Sequence, residues 1–237
     1  MNEIIQRTKE FFIRNSCYRA VLGLSGGLDS AVTAKILVQG LGPENVTALI
    51  MPEEGLSQHT DDAVKFAQQL GINYKIIKIN RFIEQFKESD WPQNQLSEIN
   101  TKARIRAALV YNFANSHNTL VAGTSNKTEL LLGYGTKHGD LACDVFILGN
   151  LYKTEVQDLA KQLEIPKEII NKAPSAELYA GQTDEQELGA PYTELDKILR
   201  AIANQEDLSK FDQILVNQIL TRIDKSQHKR KMPEVIK

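Results

Sequence analysis

Ala20-Val21-Leu22-Gly23-Leu24-Ser25-Gly26-Gly27-Leu28-Asp29-Ser30 passes from an apolar run, through paired glycines, into a helix-like run from Ala31 to Val38. A strand that turns on glycines into a helix N-terminus gathers backbone N–H groups at the positive end of a helix dipole, and together these make an anion site. The stretch lacks the lysine of a G-x-x-x-x-G-K-[ST] loop, which would sit on the β/γ-phosphates. Asp29 stands at the helix start instead, where it would repel a bare phosphate. An acid facing a phosphate nest is reasonable when a divalent cation bridges the two. The stretch therefore points to Mg²⁺-bound ATP. The plainer reading is a glycine turn with Asp29 favouring the helix dipole. Two hydroxyls, two adjacent glycines and an acid at one strand end favour the nucleotide.

Outward from this stretch, Ile4, Ile5, Thr8, Phe11 and Phe12 recur at helical spacing and predict an amphipathic opening helix. Strands are expected at about 18–24, 45–51, 73–79 and 118–123, with Pro52 stopping the second. Helices are expected at 30–39 with Gly40 as C-cap, at 60–70 ending on Gly71, at 96–116, and near 153–163, 191–203 and 207–219. Continuously apolar strands alternating with helices predict an α/β fold, a parallel sheet covered by helices on both faces. Such sheets bind ligands at the carboxyl ends of their strands. Residues 173–190, rich in Pro, Ala, Gly and acids, read as a mobile loop.

The bulk properties fit this picture. With 237 residues and 42% hydrophobic content, one large domain is expected. A formal net charge of −2 offers no general attraction to nucleic acid or an anionic membrane. Cys17 and Cys143 are far apart and in no metal-ligand spacing, which fits a reducing compartment. The N-terminus has no signal-peptide core, and no apolar run reaches the length of a membrane span, so a cytoplasmic enzyme is expected.

Three further clusters carry candidate chemistry. Gly123-Thr124-Ser125-Asn126-Lys127-Thr128-Glu129 follows the fourth strand and opens a helix, on the same sheet edge as the first loop. Glu129 either shares a cation with Asp29 or belongs to a helix cap and is exposed; spacing leaves both open. Thr136-Lys137-His138-Gly139-Asp140, continuing to Asp144, is either a solvated loop or the reader of a second substrate. Lys153 opens a helix, where its charge opposes the dipole unless an anion faces it. The basic tail Ser226-Gln227-His228-Lys229-Arg230-Lys231 reads from composition as a solvated terminus.

In this order, these segments resemble the ammonia-dependent NAD⁺ synthetases, of the N-type ATP pyrophosphatase group. Gly23–Ser30 carries the group's loop. Ala103-Arg104-Ile105-Arg106, Gly123–Glu129, Gly133–Asp140, Leu151–Thr154, Ala173–Leu178, Gln182–Gly189 and His228-Lys229-Arg230 carry the closer likeness. The resemblance implies a Rossmann-like three-layer sandwich of the adenine nucleotide alpha hydrolase kind. It implies one NAD synthetase domain over residues 1–237, working as a homodimer. The implied reaction amidates deamido-NAD⁺ with ammonia at the expense of ATP, through an NAD-adenylate. Gly23, Leu24, Ser25, Gly26, Gly27, Leu28, Asp29, Ser30, Thr124, Lys153 and Ser175 are then expected on ATP. Asp29 and Glu129 are expected on Mg²⁺. Arg104, Lys137, Asp144, His228 and Lys229 are expected on deamido-NAD⁺, and Asp140 beside the incoming ammonia. Asp29, Lys153 and Asp140 are the expected catalytic residues. Gly135, Leu141, Ile147 and Asn150 depart from the family pattern, which has an aromatic residue, glycine, proline and aspartate there. An amidase domain with a Cys nucleophile is not expected, so free ammonia is, with a separate supplier protein as one source. The competing readings are a pyrophosphatase-type enzyme acting on XMP or tRNA and a nucleotide-binding module without turnover.

Overall fold

Leu22 and Leu24 face one side of the central sheet and Val21 the other, and that alternation organises the whole molecule. The computed structural model describes residues 1–53, 57–172 and 183–236. Helix α1 (Asn2–Arg14) precedes β1 (Ala20–Gly23) and α2 (Leu28–Leu41). Next come β2 (Val46–Ile50), α3 (Ser57–Leu70), β3 (Asn73–Ile76), α4 (Asn80–Lys87) and α5 (Gln95–His117). Then β4 (Leu120–Gly123), α6 (Lys127–Leu132), β5 (Val145–Phe146), α7 (Lys153–Gln162) and α8 (Lys167–Ile170) follow. The chain closes with α9 (Asp184–Leu188), α10 (Tyr192–Ala203) and α11 (Gln213–Lys225). No described helix is long and apolar enough to cross a membrane.

The five strands form one sheet in the order β3-β2-β1-β4-β5, every pair parallel. Ala20 lies opposite both Val46 and Leu120, so β1 is the central strand. The winding direction reverses between β1 and β4, and a crevice opens there at the carboxyl ends of the strands. The first glycine loop follows β1, and Thr124–Asn126 follow β4, so both flank this crevice.

Both faces are covered. Ala20, Leu22, Leu24, Val46, Ala48 and Ile50 pack with residues of α2, α3 and α7. Val21, Leu49, Met51 and Val121 pack with Ile105, Val110 and Ala114 of α5 on the opposite face. A third cluster joins α6 and α9 to α10 and α11 through Leu132, Leu188, Tyr192, Leu195 and Ile219. This helical layer holds the segments after β4 against the sheet.

The expected strands and helices occur, with shifted ends. α2 passes through Gly40 to Leu41 and is capped by Gly42 at φ 89°. Gly40 serves packing instead: a Cβ there would lie 3.4 Å from the Ile5 carbonyl of α1. The helix expected at 207–219 begins at Gln213. Asp207 closes a local turn by accepting the Ser209 N–H at 2.9 Å, and Asp212 caps α11 by accepting from Ile214 and Leu215. Capping from Asp212 places Leu215, Val216 and Ile219 in the core, which decides between two capping acids. α4, although Phe82, Ile83 and Phe86 recur at helical spacing, the four-residue α8 and the two-residue β5 were not expected. Of the segment read as a loop, 184–188 is helical, with the Thr183 side chain accepting from Gln186 N–H.

Candidate active site

The loop after β1 is braced from within. Ser30 Oγ donates to the Gly27 carbonyl at 3.0 Å and accepts the Ser25 N–H at 3.2 Å. Ser25 Oγ accepts the Gly27 N–H at 3.1 Å. Gly26 sits at φ 84°, and a Cβ there would lie 2.3 Å from the His59 carbonyl, so only glycine fits. Gly27 is the N-cap of α2, and no side chain caps that helix. α5 and α6, by contrast, start with capping boxes from Asn94 and Asn126. An uncapped, glycine-lined N-terminus at a switch point leaves donors facing the crevice, as anion binding requires.

Asp29 on the first turn of α2 meets Lys153, the first residue of α7, in a direct ion pair. Lys153 Nζ also lies 3.7 Å from Glu129 Oε1 and 5.3 Å from the centre of the Tyr192 ring. The Asn126 side-chain amide joins the two acids, donating to Asp29 Oδ1 at 2.9 Å and Glu129 Oε1 at 2.7 Å. Glu129 is thus both a capping residue and the neighbour of Asp29, and it is not exposed. Its side chain is 15% accessible. Burial and the Asp29 charge push its carboxyl well above the usual range, against the pull of Lys153. Burial alone would lower Lys153, but Asp29 and Glu129 outweigh it and hold the ammonium charged.

Two acids complete this arrangement, and sequence reasoning assigned neither a role. Asp184 at the start of α9 accepts from the Tyr134 and Tyr192 hydroxyls, each at 3.0 Å. Burial raises Asp184, with the Lys153 charge acting against the rise. Asp196 in α10 accepts from Thr128 Oγ1 and from the Thr154 N–H at 2.8 Å, while Thr128 Oγ1 accepts the Lys153 N–H at 3.0 Å. The anion that faces the Lys153 ammonium is Asp29, while the acid that caps the start of α7, through the Thr154 N–H and the Thr128 hydroxyl, is Asp196. Its one sequence signal is an acid on the apolar face of α10, where it is 2% exposed.

The 133–149 segment lies alongside. Asp140 accepts the Thr136 N–H at 2.8 Å, and Thr136 Oγ1 meets Asn100 of α5 at 2.7 Å. Arg104 Nε donates to the Lys137 carbonyl at 3.4 Å, bringing the two together. Asp144 continues the pairing of β4: its N–H donates to Val121 O and its Oδ2 accepts the Val121 N–H at 2.7 Å. Thr124 is half-buried at the end of β4, and His228 is exposed. Lys229 donates to the Gly133 and Gly135 carbonyls, both at 2.7 Å. Arg230 donates to the Leu130 and Leu131 carbonyls at the end of α6. The tail through Arg230 is therefore docked, correcting the solvated terminus that composition suggests. Gly135 and Leu141 go together, since a Cβ on Gly135 would lie 2.8 Å from Leu141 Cδ2. Burial and the Asp144 charge push the Cys143 thiol up to about 12, so it is no thiolate at neutral pH. Ser175 lies outside the described residues.

A metal can be judged against this donor set. No group of three or more His, Cys, Asp or Glu placed to hold an ion occurs among the described residues. Asp29 and Glu129 converge through their shared Asn126 and Lys153 partners. Two hard carboxylates beside the glycine loop are the kind of donors Mg²⁺ takes, one or two carboxylates with substrate oxygens.

Comparison with known proteins agrees with this geometry. An NH₃-dependent NAD⁺ synthetase of Archaeoglobus fulgidus is 49% identical over 219 residues, covering 91% of this chain and 87% of the relative. The solved NMN synthetase of Francisella tularensis superposes with a TM-score of 0.90 at 34% identity, covering 99% of this chain and 96% of the other. The NH₃-dependent NAD synthetase of Campylobacter jejuni, solved with a nitrate ion, gives 0.86 at 35% identity, covering 100% and 96%. The sequence model of NAD synthase matches residues 1–233. With the uncapped glycine loop at the switch point and the match running through every strand around it, this chain belongs to the NAD synthase family.

Proposed function

We propose that the protein converts deamido-NAD⁺, ATP and ammonia into NAD⁺, AMP and diphosphate. The carrying observation is the uncapped N-terminus of α2, set beside the buried Asp29–Lys153–Glu129 cluster. A carboxylate resists amine attack at neutral pH because oxide is a poor leaving group. Attack of the nicotinate oxygen on the α-phosphorus of ATP forms a P–O bond and breaks the bond to diphosphate. Ammonia then adds to the activated carbonyl carbon, the bond to AMP breaks, and the nitrogen gives up a proton. The protein's main task is to hold anions in line and offset their charge.

Gly23–Ser30 would hold the ATP phosphates, and Thr124 and Ser175 would touch ATP. Lys153 would offset charge as diphosphate leaves. Asp29 and Glu129 would hold Mg²⁺, which supplies charge neutralisation on the phosphate oxygens. Arg104, Lys137, Asp144, His228 and Lys229 would hold deamido-NAD⁺, and Asp140 would receive the ammonia proton. We read residues 1–237 as one domain acting in a cytoplasmic homodimer on free ammonia.

The test is NAD⁺ and diphosphate formation from deamido-NAD⁺, MgATP and ammonium. Absence of NAD⁺ together with adenylation of XMP or tRNA would overturn the reading. The Francisella likeness favours one second reading, amidation of the corresponding mononucleotide. Comparing kcat/KM for the dinucleotide and mononucleotide acids decides it.

A further inference from the structure

Lys172, just beyond α8, lies outside the residues discussed so far and yet reaches the anion loop. Its ammonium lies 2.7 Å from Asp62 Oδ2, 3.1 Å from His59 Nδ1 and 3.0 Å from the Gly26 carbonyl oxygen. The side chain is 16% accessible. An ammonium carries only donors, so His59 Nδ1 accepts here, and burial and the Lys172 charge hold the imidazole below its ordinary value. An ammonium has three donors, and here three acceptors take them.

The Gly26–Gly27 peptide is the consequence. Its carbonyl accepts from Lys172 and its N–H donates to Ser25 Oγ at 3.1 Å. A peptide between two glycines has more freedom to rotate than any other. Rotation here would break the Gly27 N–H bond to Ser25 Oγ that braces the loop and turn a carbonyl dipole toward the anion. A charge-assisted bond to the carbonyl opposes that rotation. We propose that Lys172 is a positioning residue for the phosphates: it pins the Gly26–Gly27 peptide so that the loop presents donors to the leaving diphosphate.

This inference rests on the reading of the loop as the diphosphate site, and its test needs no turnover. Binding of inorganic diphosphate with Mg²⁺ is measured by calorimetry for the wild type, Lys172→Met, Lys172→Arg, Asp62→Asn and the Lys172→Met/Asp62→Asn double variant. Lys172→Met should weaken diphosphate about tenfold, which corresponds to about 1.4 kcal/mol. Lys172→Arg should recover most of it, because a guanidinium still donates to the carbonyl. The double variant restores the local net charge without the bond to Gly26, so it should stay weak, whereas Asp62→Asn alone should bind within threefold of the wild type. In steady state, Lys172→Met should raise KM for MgATP and leave KM for deamido-NAD⁺ within twofold. Recovery of diphosphate binding in the double variant would reduce Lys172 to a general charge and overturn the proposal. Unchanged binding in Lys172→Met would overturn it too. NAD⁺ formation by the wild type is scored separately, so failure of the reaction reading is distinct from failure of the latch.

Discussion

Lys153 and Lys172 both reach the loop between β1 and α2, from α7 and from the end of α8, into different surroundings. Lys153 is 3% exposed and faces Asp29 and Glu129, with Asp184 close enough to act on it electrostatically. Lys172 faces one carboxylate, one imidazole and one carbonyl at the loop's edge. The first amine shares its site with acids from three other helices, Asp29, Glu129 and Asp184. The second has its donors committed and is suited to hold backbone. Proximity to the glycine loop therefore does not define a lysine's task; the number and kind of its acceptors do.

The sharpest way to break this contrast is Lys153→Met. It should cut turnover by about 10²–10³-fold, as loss of a major charge-stabilising donor does. It should also cost about 3–5 kcal/mol of stability, since buried acids lose their cation. Both are read from steady-state kinetics and denaturant melts; a change in KM alone would make Lys153 resemble Lys172. Asp29→Asn should lower kcat about a hundredfold with the fold intact by circular dichroism. Near-normal kcat at saturating Mg²⁺ would leave Asp29 as a helix-dipole residue.

Asp196→Ala tests whether the Lys153 region depends on a support that Lys172 lacks. It strands the Thr128 hydroxyl and the Thr154 N–H, and should cost about 2–4 kcal/mol in a melt, with kcat falling as α7 loses its anchor. Gly26→Ala attacks the backbone that Lys172 holds. The strained φ alone should cost about 1–3 kcal/mol, and MgATP affinity should fall with it in calorimetry.

Asp62→Asn should have the smallest effect, about 1 kcal/mol or less, as for other partly exposed pairs. Asp62 is held below its ordinary 3.8 chiefly by its hydrogen bond from Lys172. A depressed carboxylate stabilises the fold above its unfolded value and loses that contribution as pH falls through the folded value. The difference between Asp62→Asn and wild type should therefore be present at neutral pH and vanish in acid, by melts across pH 2–7. A gap that persisted in acid would mean that Asp62 acts by packing.

Much of this was legible in the chain. The glycine loop announced itself because strand, turn and helix start are contiguous, and the same holds for Gly123–Glu129. The continuous apolar run Ala20–Leu24 and the helical spacing of Ile4, Ile5, Thr8, Phe11 and Phe12 are local properties, written within a few residues. β5 was missed because two residues are too short for a period to show, whereas α4 carries Phe82, Ile83 and Phe86 at helical spacing and was legible. The docked tail was missed because composition measures solubility, and cannot reveal that Arg230 finds the open carbonyls at the end of α6.

By itself, then, the sequence determined the α/β alternation, the position of the anion loop at a strand end, and the family resemblance. Tertiary structure alone decided which charges meet. Asp29, Glu129, Lys153, Asp184 and Asp196 come from five separate helices, and only the order β3-β2-β1-β4-β5 and the packing of α10 over α6 and α7 bring them together. The physical reason is range. Backbone periodicity and capping act within one or two turns, whereas the ionisation of Glu129 and the partners of Lys153 and Lys172 depend on burial and on charges distant in sequence.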